Sequence, residues 1–537
     1  MSSESIFNKY NMINGKVECR FCNTKIQMKG STQKLISHSA KCNKTVRREC
    51  VKQTNRIAEM MITDTKPLSL VDDAIFKKFI HSVDPDCKIP SLAEFSDVII
   101  PKKHEDLMKQ LENNINREIK GGKMTAAFAI NTWTSVDSYV SVVVHYITED
   151  FKVYSYMLAV ELLPRNDVSA SVHNVLLSTL ETWKFKRSLS SVFCITNAPN
   201  IDEYPDIPTT HTYLPCFDTC LQSAVISVLK YQRTAPTAGS KFIKKCMRTI
   251  QYFSRSVSAR RTLTGRCFDY NIEPVELIEK VDTTCWISMY TMFKCLIRLR
   301  EPLTDTLVGE IENFSEGEWT FMEHVAIVLE VIKEATEMIH TEEYPTLSLY
   351  YPTYRALENK LANFDRNSGI SKRILRALQV VLIVYRKEFK GFISIDALSH
   401  ATLLDPRFKD EPFTKDSVHS LKEGLRQKII SLHIDNQSGK IKPKNEAEFN
   451  KSVDQELKEY WSRRRISKKT NIINWWKVYR KRLPILASAA RHFLVIPAVR
   501  VSGKRFLALR SIIQNNQTKL SLETLQKLCF LHANHEL

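Results

Sequence analysis

Glycine is scarce in this chain, with 13 residues among 537 against a usual share of about 7%. Few positions can take up the positive φ of a tight turn, so the chain is expected to run in long helices. Long apolar runs are missing as well. The best, around Val140–Ile147 and Ala377–Tyr385, fall far short of the roughly 20 residues that span a bilayer, so no membrane partner is expected. Met1 is followed by polar residues instead of a basic–apolar–small leader, which argues against export. Without that route, thirteen cysteines point to reduced thiols and metal ligands, not to a disulfide framework. The expected compartment is the cytosol or nucleus.

What is present is globular in composition, 43% hydrophobic and 26% charged, and the length suggests about three or four structural units. Charge is lopsided: 78 Lys and Arg against 59 Asp and Glu leave a net +19. Residues 1–66 alone hold 13 basic and 5 acidic residues. Such an excess suits a polyanionic partner, because each cation placed on a phosphate releases counterions; the bland alternative is a merely soluble basic protein. A second basic stretch, Arg463-Arg464-Arg465 with Lys468-Lys469, reads equally as a nuclear localisation signal or a solvated loop.

Residues 19–42 contain Cys19-x2-Cys22, fifteen intervening residues, then His38-x3-Cys42. The close pair suits a tight knuckle aiming two thiolates at one tetrahedral ion, and His38 and Cys42 share a helix face. Four protein ligands leave no open position, so the expected Zn²⁺ is structural. The helix is expected to begin near Ser31, a good N-cap, with Leu35 packed inward. Lys25, Lys29, Ser31, Thr32, Gln33 and Lys34 stand before and at that helix start, where major-groove readers place base- and phosphate-contacting groups. The competing reading is a protein-binding finger with an ordinary charged surface. The segment resembles a BED-type finger, with Phe7 and Tyr10 as aromatic lead-in where that family usually carries Trp. The resemblance implies double-stranded DNA as partner.

Residues 43–67 read as a basic linker merging into helix. Leu70–Ile80 and His104–Ile119 have helical apolar spacing, separated by a Pro90–Pro101 break. Thr125–Ile130, Tyr139–Ile147 and Val153–Leu163 read as strands, followed by a helix over Ser169–Trp183, a strand over Ser191–Thr196 and a helix over Leu214–Lys230. Beyond residue 235 the pattern is helical: Val275–Lys280, Ile287–Arg298, Phe321–Ile339, Tyr354–Phe364, Ile370–Phe389 and Ser417–Leu432.

At this point the chain resembles the hAT transposase family over most of residues 70–537. The matches, in order, are Asn131-Thr-Trp133-Thr-Ser135, Asn197-Ala-Pro-Asn200, Thr284-Cys-Trp286-Ile-Ser288, Tyr344-Pro-Thr346-Leu-Ser348, and His400-Ala-Thr-Leu-Leu-Asp405-Pro-Arg407-Phe408-Lys409. Near the C-terminus come Trp475-Trp476, Pro484-x-Leu486-Ala487, Ala490-Arg491, Ile496-Pro497 and a Leu-rich helix ending at Asn534. The resemblance implies an α-rich α+β multidomain chain. Its parts are a BED-type zinc finger (1–45), a linker and small helical domain (46–120), a ribonuclease-H-like mixed sheet (121–235 and 466–537) and a large all-helical insertion (236–465). It also implies homodimerisation through the C-terminal region, for which Trp475, Trp476, Leu486, Phe493, Leu525, Leu528 and Phe530 are the candidate residues.

The family's chemistry needs two Asp and one Glu, because hard divalent ions take oxygen ligands and two metals clamp a phosphoryl transfer. Carried over residue by residue, that site fails. Asn131 stands at the first Asp, Thr196 at the second, and Gly503 or Lys504 at the Glu. The family's C-x-x-H pair is broken too, with Cys216 present and Thr219 at the His. Asp137, Asp202, Glu203 and Asp218 are nearby acids, read as surface or capping residues more than substitutes. Trp286, which in the family lies near transposon-end DNA, reads as a base-stacking or a packing residue. The expectation is a zinc-dependent, nuclear DNA-binding protein without transposase catalysis, acting in transcription or on chromatin, with chromatin proteins as possible partners. An active or recently decayed transposase and a protein-interaction scaffold are the rivals.

Overall fold

The computed structural model describes residues 10–535 except 14–15, 20–24, 27–33, 36, 39–53, 65, 84–86, 88, 121–123, 135–136, 165–167, 186–188, 197–210, 232–238, 274–280, 282–285, 307–311, 342–344, 364–382, 384–385, 388–394, 437–445, 500–502 and 517–519. The expected helices over Val275–Lys280 and most of Ile370–Phe389 lie outside them. The chain divides into a smaller unit, Met1–Asn114 with Gly503–Leu537, and a larger one, Ile115–Ser502. The expected 466–537 segment therefore falls across both units.

In the smaller unit, β1 (Tyr10–Ile13), β2 (Lys16–Cys19) and β3 (Lys25–Ile26) form an antiparallel sheet. Its helical part comprises residues 54–63, α1 (Ala74–Val83), α2 (Ile100–Lys120, whose last turns belong to the larger unit), α16 (Gly503–Asn516) and α17 (Leu522–Ala533). Ile57, Met61, Leu68, Leu111, Ile512, Leu525 and Leu528 are buried in it. Two side chains tie its distant ends together: the Leu68 N–H donates to Asn516 Oδ1 at 3.0 Å, and His532 Nδ1 donates to the Ile62 carbonyl at 2.7 Å. Ser521 caps α17 by accepting from the Thr524 N–H, as a hydroxyl does for an orphan helix donor.

Two expectations need correction here. The helix expected over Leu70–Ile80 is a 3₁₀ turn, Leu68–Asp72, followed by α1. Asp73 separates them because its carboxylate accepts from the Ile75 and Phe76 N–H groups, restarting the chain as a fresh helix end. The Pro90–Pro101 break is helical from Leu92 onward. Ser91 caps it, and a π turn over Phe95–Ile99 precedes Pro101. Proline's ring collides with the carbonyl four residues back in a regular helix, and the wider turn lies where that carbonyl, of Asp97, would stand.

In the larger unit, β4 (Met124–Thr134), β5 (Ser138–Ile147), β6 (Val153–Leu163), β7 (Leu189–Thr196) and β8 (His211–Pro215) form a five-stranded sheet in the order β6-β5-β4-β7-β8. Short turns allow β4, β5 and β6 to pair antiparallel, whereas β7 and β8 add on parallel to β4. A parallel neighbour requires a crossover, and α3 (Val168–Thr182) supplies it between β6 and β7. Ala126–Ile130 of β4 are all buried, as in a central strand covered on both faces.

Strand β8 takes the place of the first turn of the helix expected from Leu214. Leu214 instead pairs with Ile195 and is buried; Pro215, lacking a donor, ends the strand, and α4 (Phe217–Tyr231) follows. The described residues of 236–465 contain no strand. They form α5 (Gly239–Arg255), α6 (Val257–Asp269), α7 (Trp286–Arg298), α8 (Arg300–Thr306), α9 (Glu316–Thr341), α10 (Leu347–Asn363), α11 (Asp396–Leu403), α12 (Lys415–Asn436) and α13 (Glu446–Ser462). Beyond them are α14 (Ile472–Tyr479) and α15 (Pro484–Leu494). Helix α9 starts five residues before its expected bound because Ser315 and Glu318 cap each other's backbone N–H, a reciprocal capping box.

Candidate nucleic-acid, metal and dimerisation sites

Cys19 closes β2 opposite Tyr10 and is buried. Lys34, Leu35, Ser37 and His38 are helical, with Leu35 buried, Lys34 exposed and His38 half-buried. Lys25 stands in β3. Cys22, Cys42, Lys29, Ser31, Thr32 and Gln33 lie outside the described residues. A buried thiol at a strand end and a half-buried histidine on a helix fit the donor chemistry of a structural zinc, which favours thiolate and imidazole. Such an ion would contribute folding energy and no reaction.

The sheet brings two of the family's metal positions together. Asn131 pairs with Ser141 on one side of β4, and its neighbour Ile130 pairs with Thr196 at the end of β7. Asn131 and Thr196 thus lie diagonally across one parallel strand pair, at the carboxyl ends where open α/β sheets place ligands. Asn131 is only 3% exposed. Gly503 and Lys504 open α16 in the smaller unit. Asp137 and Asp218 are half-buried, while Asp202 and Glu203 lie outside the described residues. Among the described residues, no three His, Cys, Asp or Glu side chains gather as an ion would need. Trp133 is buried and stacks on Tyr139, with centroids 5.7 Å apart. Trp286, 2% exposed at the start of α7, is a packing residue.

The most specific family string turns out to be a buried clamp. Asp405 and Arg407 are both fully enclosed: Arg407 Nη2 donates to Asp405 Oδ2 at 2.7 Å, and its Nε donates to Oδ1 at 3.0 Å. Ser348 Oγ donates to the same carboxylate at 2.7 Å, so the Thr346-Leu-Ser348 match at the head of α10 meets the Asp405 match directly. Trp476 Nε1 donates to the Leu404 carbonyl at 3.0 Å, and Tyr460 Oη donates to that of Leu403 at 3.0 Å. Lys409 Nζ donates to the Tyr460 carbonyl at 2.7 Å, and burial pulls its pKa down to about 8. The Ile496-Pro497 match joins the same junction, since Ile496 accepts from the Leu347 N–H and Ala498 accepts from the Phe217 N–H. Four strings scattered over 150 residues of sequence are therefore one structural knot. Sequence spacing carries no signal for that convergence.

Within the single chain, most of the candidate dimerisation residues are buried. Trp476, Leu486 and Phe493 are buried within the larger unit, and Leu525, Leu528 and Phe530 within the smaller. Trp475 is half-buried, stacked on Tyr479 at 4.2 Å. Each is covered by its own chain: Trp476 stacks on Tyr460 at 5.7 Å, Phe493 meets His400 at 5.2 Å, and Phe530 meets His104 at 4.7 Å. The basic stretch before α14 is also partly engaged, with Arg463 bonded to Glu459 and Arg465 paired with Glu411. Arg464, Lys468 and Lys469 stay exposed.

Comparison with known proteins matches residues 454–535 to the hAT family C-terminal dimerisation region. Over 519 residues the chain is 22% identical to Zinc finger BED domain-containing protein 4 of Homo sapiens, covering 90% of this chain and 43% of the relative. It is 23% identical over 379 residues to human Zinc finger BED domain-containing protein 6, covering 66% of this chain and 37% of the relative. Zinc finger BED domain-containing protein RICESLEEPER 1 of Oryza sativa subsp. japonica is 19% identical over 510 residues, covering 83% of this chain and 69% of the relative. The chain spans less than half the length of the two human relatives.

Proposed function

The chain is derived from a hAT transposase and is akin to the zinc finger BED domain-containing proteins, and from that premise we propose that it binds duplex DNA through a zinc-ordered finger in the nucleus, regulates transcription or chromatin, and cuts no DNA. The observation that carries this reading is the strand pair at Asn131 and Thr196. We read the sheet order as ribonuclease-H-like, with three antiparallel strands and two parallel ones added beside the first. In that arrangement these two positions are where the metal-binding acids belong. An amide and a hydroxyl offer oxygens without the charge that makes Mg²⁺ binding favourable, and a two-metal displacement depends on carboxylates holding both ions. Gly503 or Lys504 at the third position adds no acid.

Readout is assigned to Lys34 and to Lys25, Lys29, Ser31, Thr32 and Gln33 around the helix start, as in fingers that present a helix to the major groove. Dimerisation is assigned to the smaller unit, which contains the last part of the matched dimerisation region. Among the apolar side chains it leaves exposed, Ile75 (78% exposed), Phe79 (63%) and Val83 (72%) share one face of α1 at four-residue spacing. A second copy of the chain is their proposed partner, because α1 directly follows the turn whose Leu68 is bonded to Asn516 of the matched region.

The test is strand cleavage with Mg²⁺ or Mn²⁺ on the chain's own genomic binding sites and on candidate transposon ends, beside genome-wide mapping of where it sits. Occupancy of a recovered motif without nicking is expected. Metal-dependent nicking would return the chain to the transposases, and occupancy without any DNA motif would favour a protein-interaction scaffold.

A further inference from the structure

Residues 239–268, spanning α5 and α6, contain eight Lys or Arg and no Asp or Glu. Helix α5 sorts them by face. Phe242, Cys246, Thr249, Ile250 and Phe253 are buried, while Lys241, Lys244, Arg248 and Arg255 are exposed. At about 100° per residue the four cations fall within an arc of about 60°, spread over about 21 Å of axis. Among the described residues none of them has an acidic partner. That is unlike Lys245 on the flank, which pairs with Glu318 at 2.9 Å. Past the elbow, Arg261 of α6 is exposed as well. Arg260 holds the elbow by donating to the Phe253 carbonyl at 3.2 Å.

A row of four unneutralised cations self-repels and gives nothing to the helix's own stability. We propose that this ridge is a second nucleic-acid site, which grips the phosphate backbone of duplex DNA without reading bases. The finger would select sequence, and the ridge would supply affinity that depends on salt. Duplex DNA is favoured over other polyanions because it presents an unbroken line of charge, one per about 1.7 Å of axis, along the whole length of the row. The inference rests on the DNA-binding reading above but concerns different residues.

The test compares the full chain with a variant carrying Lys241→Ala, Lys244→Ala, Arg248→Ala and Arg255→Ala, titrating duplex binding against salt. Each phosphate that is no longer neutralised takes about 0.9 off the slope of log affinity on log salt. The variant's slope should therefore be shallower by three to four units. On raising salt fourfold, the wild-type chain should weaken about 150-fold more than the variant, while the preferred motif stays the same. A charge-keeping variant, with Arg at 241 and 244 and Lys at 248 and 255, should retain the wild-type slope. Equal slopes for the alanine variant and wild type overturn the ridge and leave the finger reading standing. Loss of motif preference in a Cys19→Ala chain that keeps the steep slope supports the ridge. Loss in the alanine variant of binding to anionic phosphatidylserine vesicles or single-stranded RNA, with duplex binding unchanged, also overturns it.

Discussion

Replacing Arg407 with Met is the sharpest probe of how the larger unit holds together. The guanidinium makes three bonds to Asp405, at 2.7, 3.0 and 3.2 Å, and both side chains are shut off from water. Methionine fills a similar volume but leaves a buried carboxylate with only the Ser348 hydroxyl and the residue 407 N–H as donors. Stripping one partner from an enclosed ion pair costs about 3–5 kcal/mol, because the remaining charge has been desolvated for nothing. Adding Asp405→Leu should recover at least half of that loss, since a well-packed apolar pair is often as stable as the ions it replaces. Urea unfolding followed by tryptophan fluorescence reads the total, as Trp476 is bonded to Leu404 next to the pair. Hydrogen exchange over α11 and α14 reads the same loss locally. A cost below about 1 kcal/mol for the single variant, or a double variant no better than the single, would refute the reasoning.

Three further outcomes are expected. Cys19→Ala should drop the zinc of the purified full chain from about one per molecule to near none, measured by elemental analysis; unchanged zinc would remove Cys19 from the ligand set. His400 and His492 are both held down by burial, to about 4 and about 3. The unfolded chain therefore binds the extra protons between those values and about 6.5. Each ring's stabilisation is complete above pH 6.5 and falls by about 1.4 kcal/mol per pH unit below it, so acid titration of unfolding midpoints should steepen there, and a flat profile from pH 6 to 4.5 would contradict it. Phe79→Glu, which removes an apolar contribution of about 1.5–3 kcal/mol at a buried interface, should shift the chain towards monomer in analytical ultracentrifugation without loss of helix. An unchanged dimer would clear α1 of that role.

Sequence patterning located the strands well because alternation is written within one element. Tyr139–Ile147 and Val153–Leu163 appear as β5 and β6 nearly residue for residue. It gave α5 no bounds of its own within the stretch it read as helical, although apolar residues at 242, 246, 250 and 253 stand opposite the basic row. It overlooked β8 because five residues next to a proline carry too little pattern to separate a strand end from a helix start.

By itself the amino-acid order carried the resemblance to the hAT transposases and the residue identities at the family's acid positions. Residue identities at Asn131 and Thr196 need no coordinates to show that no carboxylate stands there. The order equally sets out the cysteine and histidine spacing of the finger. Only the tertiary structure decided what the remaining motifs do. Ser348 and Asp405 are 57 residues apart, and nothing local says that they share a bond or that Leu486 and Phe493 are covered from within. An apolar stripe records that a face must be buried, but the partner that buries it comes from elsewhere in the chain. Whether such a face is core or interface is therefore settled by long-range packing alone.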